Sequence, residues 1–224
     1  MIGDASLLLT LDASTYAGSV CVSRGGTVLA EATTPMRGEH EERLMPAVAD
    51  ALARAGVSIE AVDAIVCGAG PGSFTSLRIA ASIAKGIAFA RERPLFAVSS
   101  LALLVAATDA TRAAGEYLAV LDALRGEVYA AACTVDESGE LAQVGAVELM
   151  PIERLAVMEE RDRLVVGAGH AIDAVPHARG VVRLASLLAR STPVPLDGWE
   201  PSYGRLAEAQ VQWEAAHGRP LPVG

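Results

Sequence analysis

Gly68-Ala69-Gly70-Pro71-Gly72-Ser73-Phe74-Thr75-Ser76-Leu77-Arg78 joins an apolar run, Ala61 to Cys67, to a long segment of small residues, Ile79 to Ala90. The run before it reads as a buried strand and the segment after it as a helix. Glycines at 68, 70 and 72, with Pro71 among them, permit tight backbone turns that a Cβ would resist. Ser73 or Thr75 is placed to cap the helix by accepting a hydrogen bond from an orphan N–H. Two readings of the loop stay open. Its N–H groups cradle an anion at the helix start, or Gly70, Pro71, Gly72, Ser73 and Thr75 form a structural loop that sets the helix's angle. No Lys follows the glycines, so the Walker pattern is excluded, and Ser73 stands where a dinucleotide fingerprint needs its third glycine.

Working outward, the first third predicts a strand over Leu7 to Asp12, a second over Ser19 to Ser23, a turn at Gly25-Gly26 and a third strand over Thr27 to Thr34. An amphipathic helix is expected from about His40 to Ala55, ended by Gly56, and a fourth strand over Val62 to Cys67. The second half repeats this order. Strands are expected over Tyr117 to Asp122, Glu127 to Val135 and Leu141 to Leu149, then a short helix opened by Pro151, then a strand over Leu164 to Val166. Leu11-Asp12-Ala13 recurs as Leu121-Asp122-Ala123, and Gly68-Ala69-Gly70 as Gly167-Ala168-Gly169. Two landmarks in one order within one strand pattern indicate a duplication.

Three hairpin-linked strands, a helix, a strand and a helix are the order of the ribonuclease-H-like unit, and two in tandem make the actin-like architecture of sugar kinases and Hsp70. The expected fold is α/β, with two tandem βββαβα-type lobes over 1–110 and 111–224. The apolar pattern breaks between Thr108 and Glu116. Ser191 to Tyr203, with Pro193, Pro195, Gly198, Trp199 and Pro201, predicts an ordered loop. Arg205 to His217 predicts a C-terminal helix that packs back on the first lobe.

A chain of 224 residues with 52% hydrophobic residues supports a sizeable core, and 4% aromatics means that Ala, Val, Leu and Ile must build it. The net charge of −9 argues against direct grip on a phosphate backbone, which needs clustered Lys and Arg. Cys21, Cys67 and Cys133 form no Cys-x-x-Cys pair and lie in apolar runs, which fits a reducing compartment. The start of the chain lacks the basic region of a secretory signal, and no apolar run nears the roughly 20 residues of a membrane span. A cytoplasmic protein without membrane association is expected.

Asp12, Ser14 and Thr15 end the first strand. In actin-like ATPases an acid and a hydroxyl-rich turn here hold magnesium and nucleotide phosphates, so these three form a candidate degenerate nucleotide site. The competing reading is a hairpin that bonds its own backbone. His40-Glu41-Glu42-Arg43-Leu44 starts a helix, but zinc on one helix face needs a second His four residues on, where Leu44 stands. Asp122, Arg125 and Glu127 form a charged knot at the second-half hairpin. Ala80, Ala84 and Ala88 recur every four residues and offer a surface that another helix approaches closely, either the preceding helix or one from another chain.

At this point the chain resembles the bacterial TsaB (YeaZ) family over nearly its whole length. Gly70-Pro71-Gly72-Ser73-Phe74-Thr75, with Leu77 and Arg78, is similar to the family's hallmark loop. Leu11-Asp12-Ala13-Ser14-Thr15 resembles its opening strand. His40 with Glu42, Leu44 and Pro46 resembles its first helix. Asp122-Ala123, Arg125 and Glu127-Val128-Tyr129 resemble its second-lobe motif, and Pro201, Tyr203 and Arg205 its C-terminal signature. Ser76 departs from the family's usual Gly, which bears on how closely the second helix packs.

The resemblance implies an actin-like fold and a non-catalytic role in forming N6-threonylcarbamoyladenosine at position 37 of tRNAs that read codons starting with A. It implies docking to the metal-bearing transferase TsaD, with the ATPase TsaE joining and tRNA met only through the complex. TsaD carries a His-x-x-x-His pair, which Leu44 breaks here. Carried over, the partner surface comprises His40, Leu44, Met45 and Val48 on the first helix, and Phe74, Leu77, Arg78, Ser82 and Lys85 on the second. Ala84→Arg is expected to abolish docking while the fold survives. Without TsaD, the same helices are expected to pair two copies into a homodimer. No catalytic residue, metal or cofactor is expected. An autonomous actin-like ATPase or sugar kinase, and a metallopeptidase, are the competing functions.

Overall fold

The computed structural model describes residues 5–37, 42–159, 164–204 and 217. The first sheet contains β1 (Leu7–Asp12), β2 (Ala17–Arg24), β3 (Thr27–Pro35), β4 (Ala64–Gly68) and β5 (Leu95–Val98), in the order β3-β2-β1-β4-β5. β1, β2 and β3 pair antiparallel, while β1, β4 and β5 run parallel. Parallel neighbours need crossovers, supplied by α1 (Leu44–Ala55) and α2 (Phe74–Arg91). α3 (Ser100–Ala106) comes directly after β5.

The second sheet repeats the order β3-β2-β1-β4 but has no counterpart of β5 among the described residues. β6 (Gly115–Asp122), β7 (Glu127–Val135), β8 (Leu141–Val144) and β10 (Leu164–Val166) lie as β10-β6-β7-β8, and β9 (Glu148–Pro151) also pairs with β7. α4 (Ile152–Glu159) connects β9 to β10. A 3₁₀ helix, Ala178–Arg183, and α5 (Ala185–Arg190) come after β10. This is the ribonuclease-H-like strand order twice over, and the fold is α/β and actin-like.

Alternation along the strands assigns the layers. Leu7, Leu9 and Leu11 of β1 join the core beneath α1 and α2, while Leu8 faces a second core with Val66, Phe96 and all the apolar residues of α3. That second core continues into Tyr117, Ala119, Leu121 and Tyr129 of the other sheet, so α3 and the 3₁₀ helix form a layer between the sheets. α3 is buried on every side, as a helix apolar all round must be. Its C-terminal carbonyls need partners. Arg183, itself buried, donates through Nη1 to the Ala106 carbonyl at 3.3 Å, and beyond the helix to the Thr108 carbonyl at 2.9 Å and through Nη2 to that of Thr111 at 2.7 Å. A cation here also meets the negative end of the α3 dipole.

Several expectations need correction. The run Leu141 to Leu149 is two strands, because the chain breaks at 145–147 and both halves pair with successive stretches of β7. The sequence pattern does not announce β5 and α3; each is short, and neither shows a full amphipathic period. α2 starts at Phe74, not Ile79. Ser73 is its N-cap residue, but no side-chain cap bond forms, since the Ser73 hydroxyl bonds that of Ser76 at 3.0 Å. Ala80, Ala84 and Ala88 are fully buried in the core with Ile65, Cys67 and Leu95. The small-residue stripe therefore seats α2 on its own sheet and is not a face for another chain. The C-terminal helix expected over Arg205 to His217 lies, except for His217, outside the described residues.

Candidate functional site

Asp12 ends β1, and its carboxyl points into the layer that holds α3. Its Oδ1 accepts from the Ser14 amide at 3.1 Å and the Ser14 hydroxyl at 2.8 Å, and its Oδ2 accepts from the Ser100 hydroxyl at 2.6 Å. Asp12 is fully buried. Burial pushes its carboxyl above the ordinary value, against the opposing hydrogen bonds from Ser100 and Ser14. Thr15 bonds the backbone of Ala17 through its hydroxyl. The candidate nucleotide site is therefore corrected: Asp12 and Ser14 are enclosed and bonded within the chain, so neither presents oxygen to a cleft.

The glycine loop is held on both sides. The Ser73 amide donates to the Ser14 carbonyl at 2.8 Å, the Gly70 amide to the Ser100 hydroxyl at 3.1 Å, and the Ala69 amide to the Val98 carbonyl at 2.7 Å. Gly70 has φ +84°, and a Cβ there would run into the Ser202 carbonyl. Gly72 leaves no room before the Ser14 carbonyl, and Gly68 none before the Asp12 carboxyl. Pro71 comes after a cis peptide bond and is buried. Glycine is required here for close approach of the chain to itself. The loop amides just named face protein oxygens, which removes them from an anion cradle.

The sequence-predicted partner residues divide. Leu44, Val48 and Leu77 are fully buried and cannot touch a partner. They share the helical spacing of the surface residues but face the sheet. Met45 is 44% exposed and Phe74 37%, and Arg78 and Ser82 are exposed too. Lys85 is half-buried, and its ammonium donates to the Trp199 carbonyl at 2.9 Å, which ties it to its own chain. Ala84 is fully buried, so Ala84→Arg tests folding and not docking. His40 lies outside the described residues.

Between the start of α1 and the first turns of α2 runs a groove of about 460 Å³, lined by Glu42, Phe74, Thr75, Arg78, Ile79, Ser82 and Ile83. The Glu42 carboxylate caps α1, accepting from the amides of Leu44 and Met45. The Arg78 guanidinium lies 5.2 Å from the Phe74 ring centre, within cation–π range. Sequence reading missed Ile79 and Ile83, which the i+4 helical spacing places in line with Thr75.

The segment after α5 returns across the first lobe. The Val194 amide donates to the Leu95 carbonyl and the Ser202 amide to that of Ala69, both at 2.8 Å. The Tyr203 ring lies 4.4 Å from that of Phe74, and the Tyr129 hydroxyl donates to the Tyr203 carbonyl at 3.2 Å. At the second-lobe hairpin Asp122 is exposed and accepts from the Leu124 amide at 2.7 Å; Leu124 and Arg125 hold left-handed φ of 62° and 59°. All three cysteines are free and buried, and burial pushes Cys21 and Cys133 up to about 12. Among the described residues no three His, Cys, Asp or Glu side chains gather as a metal site, and no helix is long and apolar enough to cross a membrane.

Comparison with known proteins adds the lineage. The family model described as "TsaD: tRNA N6-adenosine threonylcarbamoyltransferase" matches residues 27–167. The Bacillus subtilis tRNA threonylcarbamoyladenosine biosynthesis protein TsaB is 32% identical over 92% of this chain and 97% of its own length. The Escherichia coli protein of the same name is 39% identical over 59% of this chain, and the match spans 57% of that relative. Among solved structures, YeaZ from Pseudomonas aeruginosa superposes with a TM-score of 0.73 at 33% identity, covering 88% of this chain and 99% of that one. A second Pseudomonas aeruginosa structure, described as similar to peptidase YEAZ, gives a TM-score of 0.74 at 34% identity over 89% of this chain and all of its own.

Proposed function

The chain belongs to the TsaB (YeaZ) family, and on that premise we propose that it takes part in forming N6-threonylcarbamoyladenosine in tRNA as a docking subunit without chemistry of its own. Its partner is a TsaD-type transferase, which the first lobe engages through the groove between α1 and α2, with a TsaE-type ATPase joining and tRNA bound by the assembled complex. We take 1–110 and 111–224 as the two lobes of that subunit.

One observation carries this reading. The groove keeps Phe74, Arg78 and Ser82 at the surface, and Met45 near the start of α1 is exposed as well, while the acid of the actin-like nucleotide position is enclosed by Ser14 and Ser100. An exposed aromatic–arginine pair over a small apolar floor is the composition of an interface anchor. The overall negative charge supports leaving tRNA to partners.

The test mixes the purified chain with the TsaD-type transferase of the same organism and measures association by calorimetry. Met45→Asp and Phe74→Asp are expected to weaken it at least about tenfold, since each puts a charge into a desolvated contact. Both residues are surface-exposed, so the melting temperature should stay within a few degrees. Unchanged affinity in both variants contradicts the docking face. Metal analysis and nucleotide titration of the isolated chain separate this reading from a metallopeptidase or an autonomous ATPase.

A further inference from the structure

We infer that Tyr203 is a positioning residue for the docking face: it acts through Phe74, holding that ring in its docking position. This rests on the docking reading above. Phe74 is the first residue of α2, so on its N-terminal side it has no helical turn of its own to pack against. The Tyr203 ring supplies that side, 4.4 Å away and tilted by 49°, a favoured aromatic arrangement.

Tyr203 is in turn held by both lobes. The Ser202 amide beside it is bonded to Ala69 of the glycine loop. Its own carbonyl accepts from the Tyr129 hydroxyl of β7, and a Cβ on the next residue, Gly204, would run into the Tyr129 ring. Gly204 has φ +70°, a conformation that glycine adopts without strain. The second lobe thus reaches Phe74 on the first-lobe docking face through the Tyr203 ring. A ring fixed before association loses less rotamer freedom on binding, which favours affinity.

The test measures association with the TsaD-type transferase for the unaltered chain, Phe74→Ala, Tyr203→Ala, Tyr203→Phe and the Phe74→Ala/Tyr203→Ala double variant. Tyr203→Ala is expected to weaken binding roughly five- to tenfold. Tyr203→Phe should bind like the unaltered chain, because it keeps the ring and the backbone carbonyl that Tyr129 bonds. The double variant should bind no more weakly than Phe74→Ala. Additive losses, or Tyr203→Ala binding as the unaltered chain while Phe74→Ala does not, overturn the inference and leave the docking face intact. No association by the unaltered chain overturns the docking reading and this inference with it.

Discussion

The two lobes share a strand order and a pair of landmarks, yet they use them oppositely. In the first, the acid at the end of β1 is buried and bonded to Ser14 and Ser100, and the glycine loop after β4 launches an 18-residue helix. In the second, the matching acid, Asp122, is exposed at a hairpin, and the chain after β10 forms no α-helix before α5. Sequence accounts for the divergence. After Gly70 come Pro71, Gly72 and Ser73 and then a run of helix formers; after Gly169 come His170 and, within one turn or two, Asp173, which favours a turn, and Pro176, which breaks a helix interior. Duplication set the strand order, and the residues downstream of each fourth strand decided which lobe carries a long helix there.

The contrast is broken most forcefully at the matched glycines. Gly70→Ala adds a left-handed penalty and drives a Cβ into the Ser202 carbonyl, whereas Gly169, at φ +76°, has open space around it. Gly70→Ala should destabilise by about 3 kcal/mol or more and Gly169→Ala by about 1 kcal/mol, read from denaturant midpoints. Equal losses would mean that the loop is not held against the segment around Ser202.

The matched acids give the next largest difference. Asp12→Ala leaves the Ser14 and Ser100 hydroxyls facing no acceptor in a buried place, and should cost about 2–4 kcal/mol. Asp122→Ala removes one exposed turn bond and should cost under about 1 kcal/mol. A smaller effect sharpens the same comparison through pH. Burial raises the Asp12 pKa above its ordinary 3.8, so the native state keeps a proton that the unfolded chain has lost. Unfolding then releases a proton, and this group's contribution falls as pH rises from 3.8 towards the native value. Asp12→Asn does not titrate; it keeps an oxygen for Ser14 but turns an N–H towards Ser100, whose hydroxyl must then accept. Its stability relative to the unaltered chain should therefore rise with pH over that window. A flat difference for Asp12→Asn would contradict the buried acid.

Much of the fold was legible in local pattern. Leu7 to Asp12, Glu127 to Val135 and Leu164 to Val166 are strands over the residues that sequence alone assigns, and Gly56 ends α1 in a left-handed cap. The site was less legible, because period alone does not say what a helical face meets. Leu44 and Met45 are neighbours with equal apolar character, yet one is fully buried and the other 44% exposed. Ala80, Ala84 and Ala88 suited either a sheet or another chain. The partner of Asp12, Ser100, is 88 residues away and sits on a helix too short to show a period. Tyr203 reaches Phe74 only because the segment after α5 crosses the first lobe.

The most direct test of the docking-subunit account is formation of the modified tRNA base in a mixture of this chain with the TsaD-type and TsaE-type proteins of its organism. The account predicts modification when all three are present, little when this chain is omitted, and restoration on adding it back but not on adding its Phe74→Asp variant. Full modification without the chain, or full restoration by Phe74→Asp, would contradict it.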